Sequence, residues 1–209
     1  FQTKVIELAD YFNDLAPMTS VTGPDSLDIL LVPDFHAWDG RYVNNGWMQE
    51  CPNPMTKLTW DNAILISPKL GKKLQSENPG LGLIPEPTML NKQGQIAPDN
   101  ANFGDGRQKA PIARIGFGDK SIEGPLYVQP GLADYTVVTT LGMGRRKTGR
   151  VGEGTGHDAS SVLDPSGNRL VPGAKIGKPG EKWTFKNLAN VQEHWSMEGR
   201  AIIREATAA

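Results

Sequence analysis

The stretch that decides the fold is PIARIGF-GDKSIEG-PLYV-QPGLAD-YTVVTTL, running from Pro111 to Leu141. Residues 112–117, 125–128 and 135–141 are rich in β-branched and aromatic side chains. Each run is bounded by Gly, Pro and Asp at 118–120 and 130–134, the residue types that make turns. Ile122 falls in the first turn or at the start of the second run. Short strands at this spacing predict an antiparallel or mixed β barrel rather than βαβ units.

Upstream, residues 27–32 (LDILLV) form a short apolar run ending at Pro33, which reads as a buried strand. Residues 57–60 lead through Asp61 and Asn62 into the apolar 63–66. Ser67 and Pro68 then predict a helix start, with the hydroxyl as cap and proline in the first turn. Leu70 and Leu74, four apart, give that helix its buried face, and it is expected to fray near Ser76. Near the amino end, Val5, Leu8, Phe12 and Leu15 mark an amphipathic helix, ended by Pro17 and residues 19–23. Residues 80–106 are rich in Pro, Asn and Gly and read as an inserted surface loop. Downstream of Leu141 come a glycine tract, an apolar 159–163 and a turn at 164–168. Strand-like runs follow at 174–176, 183–185 and 201–203. The organisation expected is an amino-terminal helix and linker (1–26), a β-barrel-like unit (27–180) with its insertion at 80–106, and a carboxy-terminal extension (181–209). Both ends read as boundaries cut from a longer chain.

The composition narrows function. With 209 residues, 38% hydrophobic and 22% charged, the chain is long enough for a real core. Its 24 glycines and 16 prolines imply many turns and irregular connections. A net charge of −1 gives no global pull towards nucleic acid or an anionic membrane, and no apolar run is long enough to span a bilayer. The one cysteine, Cys51, rules out an internal disulfide, an iron–sulfur cluster or a Cys-rich zinc site built from this sequence alone.

The strongest chemical lead is residues 141–158, LGMGRRKTGRVGEGTGHD. Glycines let backbone N–H groups approach a phosphate, and Arg145, Arg146, Lys147 and Arg150 would neutralise it. The tract is not a P-loop, because Arg146 precedes Lys147-Thr148 where glycine is required. It is not a dinucleotide fingerprint either: Gly142 and Gly144 lack the third glycine, and no helical pattern follows. A crossover loop with a solvated basic face is the plainer reading. His36, His157 and His194 share no short spacing, so no metal site is predicted. Cys51 has no basic neighbour or evident helix start beside it to make it a nucleophile. Asp34 with Asp39, and Glu123 with Asp134, are carboxylate pairs only on paper, and no catalytic set emerges. Trp38, Tyr42, Trp47 and Trp60 crowd one stretch around the loop 34–48, which reads as irregular. The default expectation is that they anchor it in the core, with a docking surface as the alternative.

Residues 44–62 (NNGWMQECPNPMTKLTWDN) followed by 66–74 (ISPKLGKKL) resemble the molybdopterin-oxidoreductase-like part of the iron–sulfur subunit of bacterial alternative complex III, a quinol-oxidising membrane assembly. Residues 124–134 (GPLYVQPGLAD), the tract 141–156 and 199–207 (GRAIIREAT) are similar to the same family. The similarity runs in order from about His36, and is weakest across 80–106. It implies an α+β, β-rich, double-psi β-barrel-like fold, periplasmic placement at the cytoplasmic membrane, and partners among the other subunits of a respiratory complex. It also implies a neighbouring iron–sulfur domain after 209, a scaffold role, and no cofactor in this part, the clusters lying only in that following domain.

More distantly, the layout resembles the carboxy-terminal dinucleotide-binding domain of molybdopterin oxidoreductases. There His36 and Arg41 match the loop leading towards the pterin, and Asn62 with 67–71 matches a helix entry. Gly142, Gly144, Arg145, Gly156, His157 and Asp158 match the loop around the guanosine. That resemblance implies an alternative, a catalytic parent binding molybdopterin guanine dinucleotide through these residues. The sequence departs from that pattern at 118–122 and across the insertion. A third expectation is a separate anion- or nucleotide-binding module built on the glycine tract.

Overall fold

The structure, a computed structural model, describes residues 22–83, 107–163 and 167–191. The helix expected near the amino end, nearly all of the 80–106 insertion, His194 and the strand expected at 201–203 lie outside these residues. Within them run β1 (Leu27–Pro33), α1 (Gly46–Glu50), β2 (Leu58–Thr59), β3 (Ile64–Ile66), α2 (Pro68–Glu77), β4 (Arg107–Phe117), β5 (Lys120–Val128), β6 (Thr136–Leu141), β7 (Leu170–Gly177) and β8 (Thr184–Asn190).

Six strands close into a mixed β barrel in the order β4-β5-β3-β6-β1-β7, with β7 returning to β4 through Arg114–Gly177, Ile115–Ile176 and Gly116–Lys175. The β4–β5 hairpin turns at Gly118-Asp119, and Phe117 faces Lys120. Two pairs are parallel, β1 with β6 and β3 with β5. The pairing has an internal symmetry: exchanging β1, β3 and β4 with β5, β6 and β7 maps every barrel pairing onto another of the same sense. Closure removes the open edges that a flat sheet of these strands would present.

Alternation builds the interior. Leu27, Ile29 and Leu31 point inward from β1 and are fully buried, joined by Ile64, Ile66, Ile115, Leu126 and Val137 from four other strands. Each such side chain stabilises the fold by about 1.5–3 kcal/mol through area removed from water. α2 packs Leu70 and Leu74 onto the same core. Its start is as predicted: the Ser67 hydroxyl accepts a hydrogen bond from the Leu70 N–H at 3.1 Å, and Pro68 occupies the first turn. The helix runs to Glu77, and Asn78 ends it by donating through Nδ2 to the Leu74 carbonyl at 3.1 Å.

Several strands exceed their sequence signal. β4 begins at Arg107, and its first half pairs with β8 from Arg107–Ala189 to Ile112–Thr184. β8 in turn pairs with β2, and this side sheet buries Leu58, Ala110 and Leu188 in a small second core. The apolar 159–163 forms a single 3₁₀ turn, Ser160–Val162. The loop read as irregular contains α1, capped by the Asn45 side chain, which accepts from the Met48 N–H. Among the described residues, no helix is long and apolar enough to cross a membrane.

Candidate functional site

Sheet register brings the predicted residues to one end of the barrel. β1 and β6 are parallel and end together, Pro33 opposite Leu141, so the loop after each leaves from the same rim. β3 runs antiparallel to β6 with Leu65 opposite Val138, which sets Asn62, just before β3, beside Thr140. β5 runs parallel to β3, so Gly124 reaches the same rim.

The buried centre of this rim is a polar seam. Asp34 follows β1 directly. Its Oδ1 accepts from the N–H groups of His36 at 2.8 Å and Ala37 at 2.9 Å, and its Oδ2 accepts from the Thr140 hydroxyl at 2.8 Å. Burial alone would raise the Asp34 pKa. The hydrogen bonds from His36, Ala37 and Thr140 together outweigh it and hold the carboxyl below its usual range. Asn62 joins strand to tract: Nδ2 donates to the Thr140 hydroxyl at 3.0 Å and the His157 carbonyl at 3.1 Å, and Oδ1 accepts from the His157 N–H at 2.7 Å. His157 is buried, its Nε2 bonded to the Thr139 hydroxyl at 2.9 Å, and burial depresses its pKa to about 4. The ring lies against Gly124, where any side chain would collide with it. His36 is also buried, and Nε2 donates to the Cys51 carbonyl while Nδ1 stands 3.6 Å from Asp34 Oδ1.

Around this seam the two loops pack directly on each other. Gly142, at φ +102°, lies so close to the backbone of Gly40 and Trp38 that a Cβ would overlap both. Gly144, at φ +74°, meets the backbone of His157 and Asp158 in the same way. Only glycine suits such a backbone at such contact. Gly156 abuts Asn62 and Met143, and Met143 is fully buried with Ala37 and Val43 in a small core of its own. Arg145 lies over Gly40 and donates to the Asp39 carbonyl. Asn44 accepts from the N–H groups of Val151 at 2.9 Å and Gly152 at 3.2 Å. Gln49, fully buried, donates to the Val43 carbonyl at 2.9 Å.

His36, Asn62, Gly142, Gly144, Arg145, Gly156 and His157 therefore come together. Arg41 and Asp158 stay at the surface. Arg41 is tied to Asp39 at 2.6 and 2.9 Å, which holds the Asp39 carboxyl at about 2. Asp158 accepts from the Ser160 N–H at 2.8 Å and starts the 3₁₀ turn. The paper carboxylate pairs dissolve into separate contacts: Glu123 binds Arg114 at 2.7 Å and Asp134 binds Lys69 at 3.0 Å. Sequence reasoning does not single out Asp34, Asn44 or Gln49 as site residues. The one signal for Asp34 is an aspartate at the exit of a strand, a position suited to closing a turn on its own backbone. Cys51 is exposed at the end of α1.

The expectation that the loop aromatics sit in the core needs correction. Trp60 is partly buried, but Trp38, Tyr42 and Trp47 are exposed by 52%, 50% and 86%. The loop is anchored by Ala37, Val43 and Gln49 instead, which leaves its large rings outside.

A phosphate cradle needs backbone N–H groups pointing at open space. In the tract, the N–H of Gly144 bonds to the Thr155 carbonyl, that of Thr155 to the Gly152 carbonyl, those of Val151 and Gly152 to Asn44, and that of His157 to Asn62. These five donors are spent inside the protein and cannot also serve a phosphate. Among the described residues, no group of three or more His, Cys, Asp or Glu side chains is placed to hold a metal.

The architecture is thus a β-rich α+β protein with a closed six-stranded mixed barrel and a largely buried polar seam at one rim. No protein-family model matches the chain, and no curated protein matches it either.

Proposed function

We propose that the chain is a double-psi β-barrel-like scaffold domain from an iron–sulfur subunit of the alternative-complex-III type. In that reading it stands at the outer face of a bacterial cytoplasmic membrane, holds a following iron–sulfur domain against other subunits, and performs no redox chemistry itself. The sequence resemblance supplies the family. The internal exchange symmetry of the barrel, with each parallel pair joining a strand of one half to a strand of the other, supports the double-psi assignment.

The observation that carries the scaffold role is the engagement of the two rim loops. In a cofactor-binding relative of this layout they would frame a groove. Here Arg145 covers Gly40, Asn44 takes the Val151 and Gly152 N–H groups, and Asn62 takes that of His157. Several of the groups that would meet a ligand bind the protein instead.

The test is metal and pterin analysis of the native full-length subunit purified from its host. Iron without molybdenum, tungsten or pterin is the expected result. A stoichiometric pterin dinucleotide would contradict the scaffold role and make residues 142–158 a cofactor loop.

A further inference from the structure

We infer that the outer face formed by residues 35–55 and the turn 145–150 is a docking surface for a protein partner that presents acidic side chains among apolar ones. The inference goes beyond the scaffold reading and stands on a different observation. Of the seven large hydrophobic side chains exposed among the described residues, five fall within residues 35–55: Phe35, Trp38, Tyr42, Trp47 and Met55. An apolar concentration of this kind in one surface segment marks an interaction site rather than ordinary surface.

The backbone holds one of these rings outward at a cost. Trp38 sits at φ +59°, a left-handed conformation that disfavours a bulky residue, and is fixed there by paired backbone bonds with Asp34, each 2.9 Å. Burial of the indole does not offset that strain, since half of the residue faces solvent.

Charge completes the face. Arg145, Arg146, Lys147 and Arg150 all reach solvent, and residues 142–152 contain no carboxylate. The contacts between loops fix this cationic turn beside the aromatic segment, through Arg145 to Asp39, Asn44 to Val151, and Gly46 against Val151. Trp, Tyr, Phe, Met and Arg are the side chains enriched where proteins meet. Three of the four cations in the turn are arginines, suited to paired contacts with carboxylates.

A lipid surface or a nucleic acid fits less well. A polyanion presents closely and evenly spaced charge that Asp39, Glu50 and Glu153 on the same loops would meet, whereas a protein can set single carboxylates opposite the cationic turn alone and apolar side chains opposite the rings. A second copy centred on this face would bring two cationic turns into one interface.

The test uses the full chain. A displayed library of random twelve-residue peptides is panned against it, and the enriched peptide is synthesised and titrated by fluorescence anisotropy. The expected peptides combine Asp or Glu with Trp, Phe or Leu. Their affinity should fall at least tenfold in Trp47→Ser and in Arg146→Glu/Arg150→Glu, and should weaken with salt. Both variants change exposed side chains, and far-UV circular dichroism checks that each folds. Failure to enrich any sequence, or peptides lacking carboxylates, would overturn the proposal; so would affinity indifferent to both variants. Three other results would assign a different occupant and equally overturn it: self-association abolished by Trp47→Ser, binding to phosphatidylcholine–phosphatidylglycerol vesicles without peptide binding, or binding to an oligothymidylate alone. A pterin found in the native full-length protein would leave the outcome here unchanged.

Discussion

The same two loops have an inner side and an outer side, and the protein treats them in opposite ways. Inside, Asp34, Asn62 and His157 are buried and bonded to backbone or to the half-buried Thr140. Outside, Trp38, Tyr42 and Trp47 lie in solvent beside four cationic side chains. A polar seam withdrawn from water makes structure, whereas rings left in water lower the cost of burying them later against something else. The difference teaches that the loops work as a fixed platform.

The largest expected effect comes from breaking the inner side. Asn62→Ala leaves the His157 N–H and carbonyl without that partner inside the protein. Urea unfolding should show a loss of about 3–4 kcal/mol, at 1–3 kcal/mol per stranded buried group. A loss below about 1 kcal/mol would mean that the seam opens to water.

The pH dependence tests the same side. His157 has its folded pKa at about 4, below the usual 6.5, because of burial, with the Asn62 hydrogen bond opposing the depression, Lys186 adding to it, and Asp158 and Asp34 opposing it. The unfolded chain therefore binds more protons between these values, and the contribution is fully present above pH 6.5 and lost as pH falls towards 4. Wild type should lose on the order of 3 kcal/mol of stability from this group across that window. His157→Gln should show a correspondingly flatter profile between pH 6.5 and 4.

A smaller effect is expected where the loops touch. Gly142→Ala places a Cβ against the backbone of Gly40 and Trp38 at positive φ, and should cost about 2 kcal/mol in thermal unfolding. On the outer side, Arg145→Ala and Trp47→Ser should each stay within about 0.5 kcal/mol of wild type, the range of surface changes. A large loss in either would break the contrast between the two sides.

Much of the barrel is legible in the sequence because its signals are local. The helix at Pro68–Glu77 follows from a cap, a proline and two leucines within eight residues. The strands at Leu27–Pro33 and Thr136–Leu141 follow from apolar runs ended by proline or glycine. The seam is less legible, because Asn62 and His157 are 95 positions apart and meet only through the β3–β6 register. The five-residue helix Gly46–Glu50 is too short for a periodic pattern to reveal it. Whether an aromatic ring faces core or solvent is likewise a tertiary outcome: Ala37 and Val43 take the inner positions that composition would give to Trp38 and Tyr42.

Amide hydrogen exchange by NMR, on the full chain with and without guanosine diphosphate, tests the closed rim most directly. A closed rim predicts that the Val151, Gly152 and His157 amides exchange slowly in the free protein and are unchanged by the nucleotide, since Asn44 and Asn62 already hold them. Fast exchange in the free chain, with protection appearing only when the nucleotide is added, would contradict it and reopen the tract as a phosphate site.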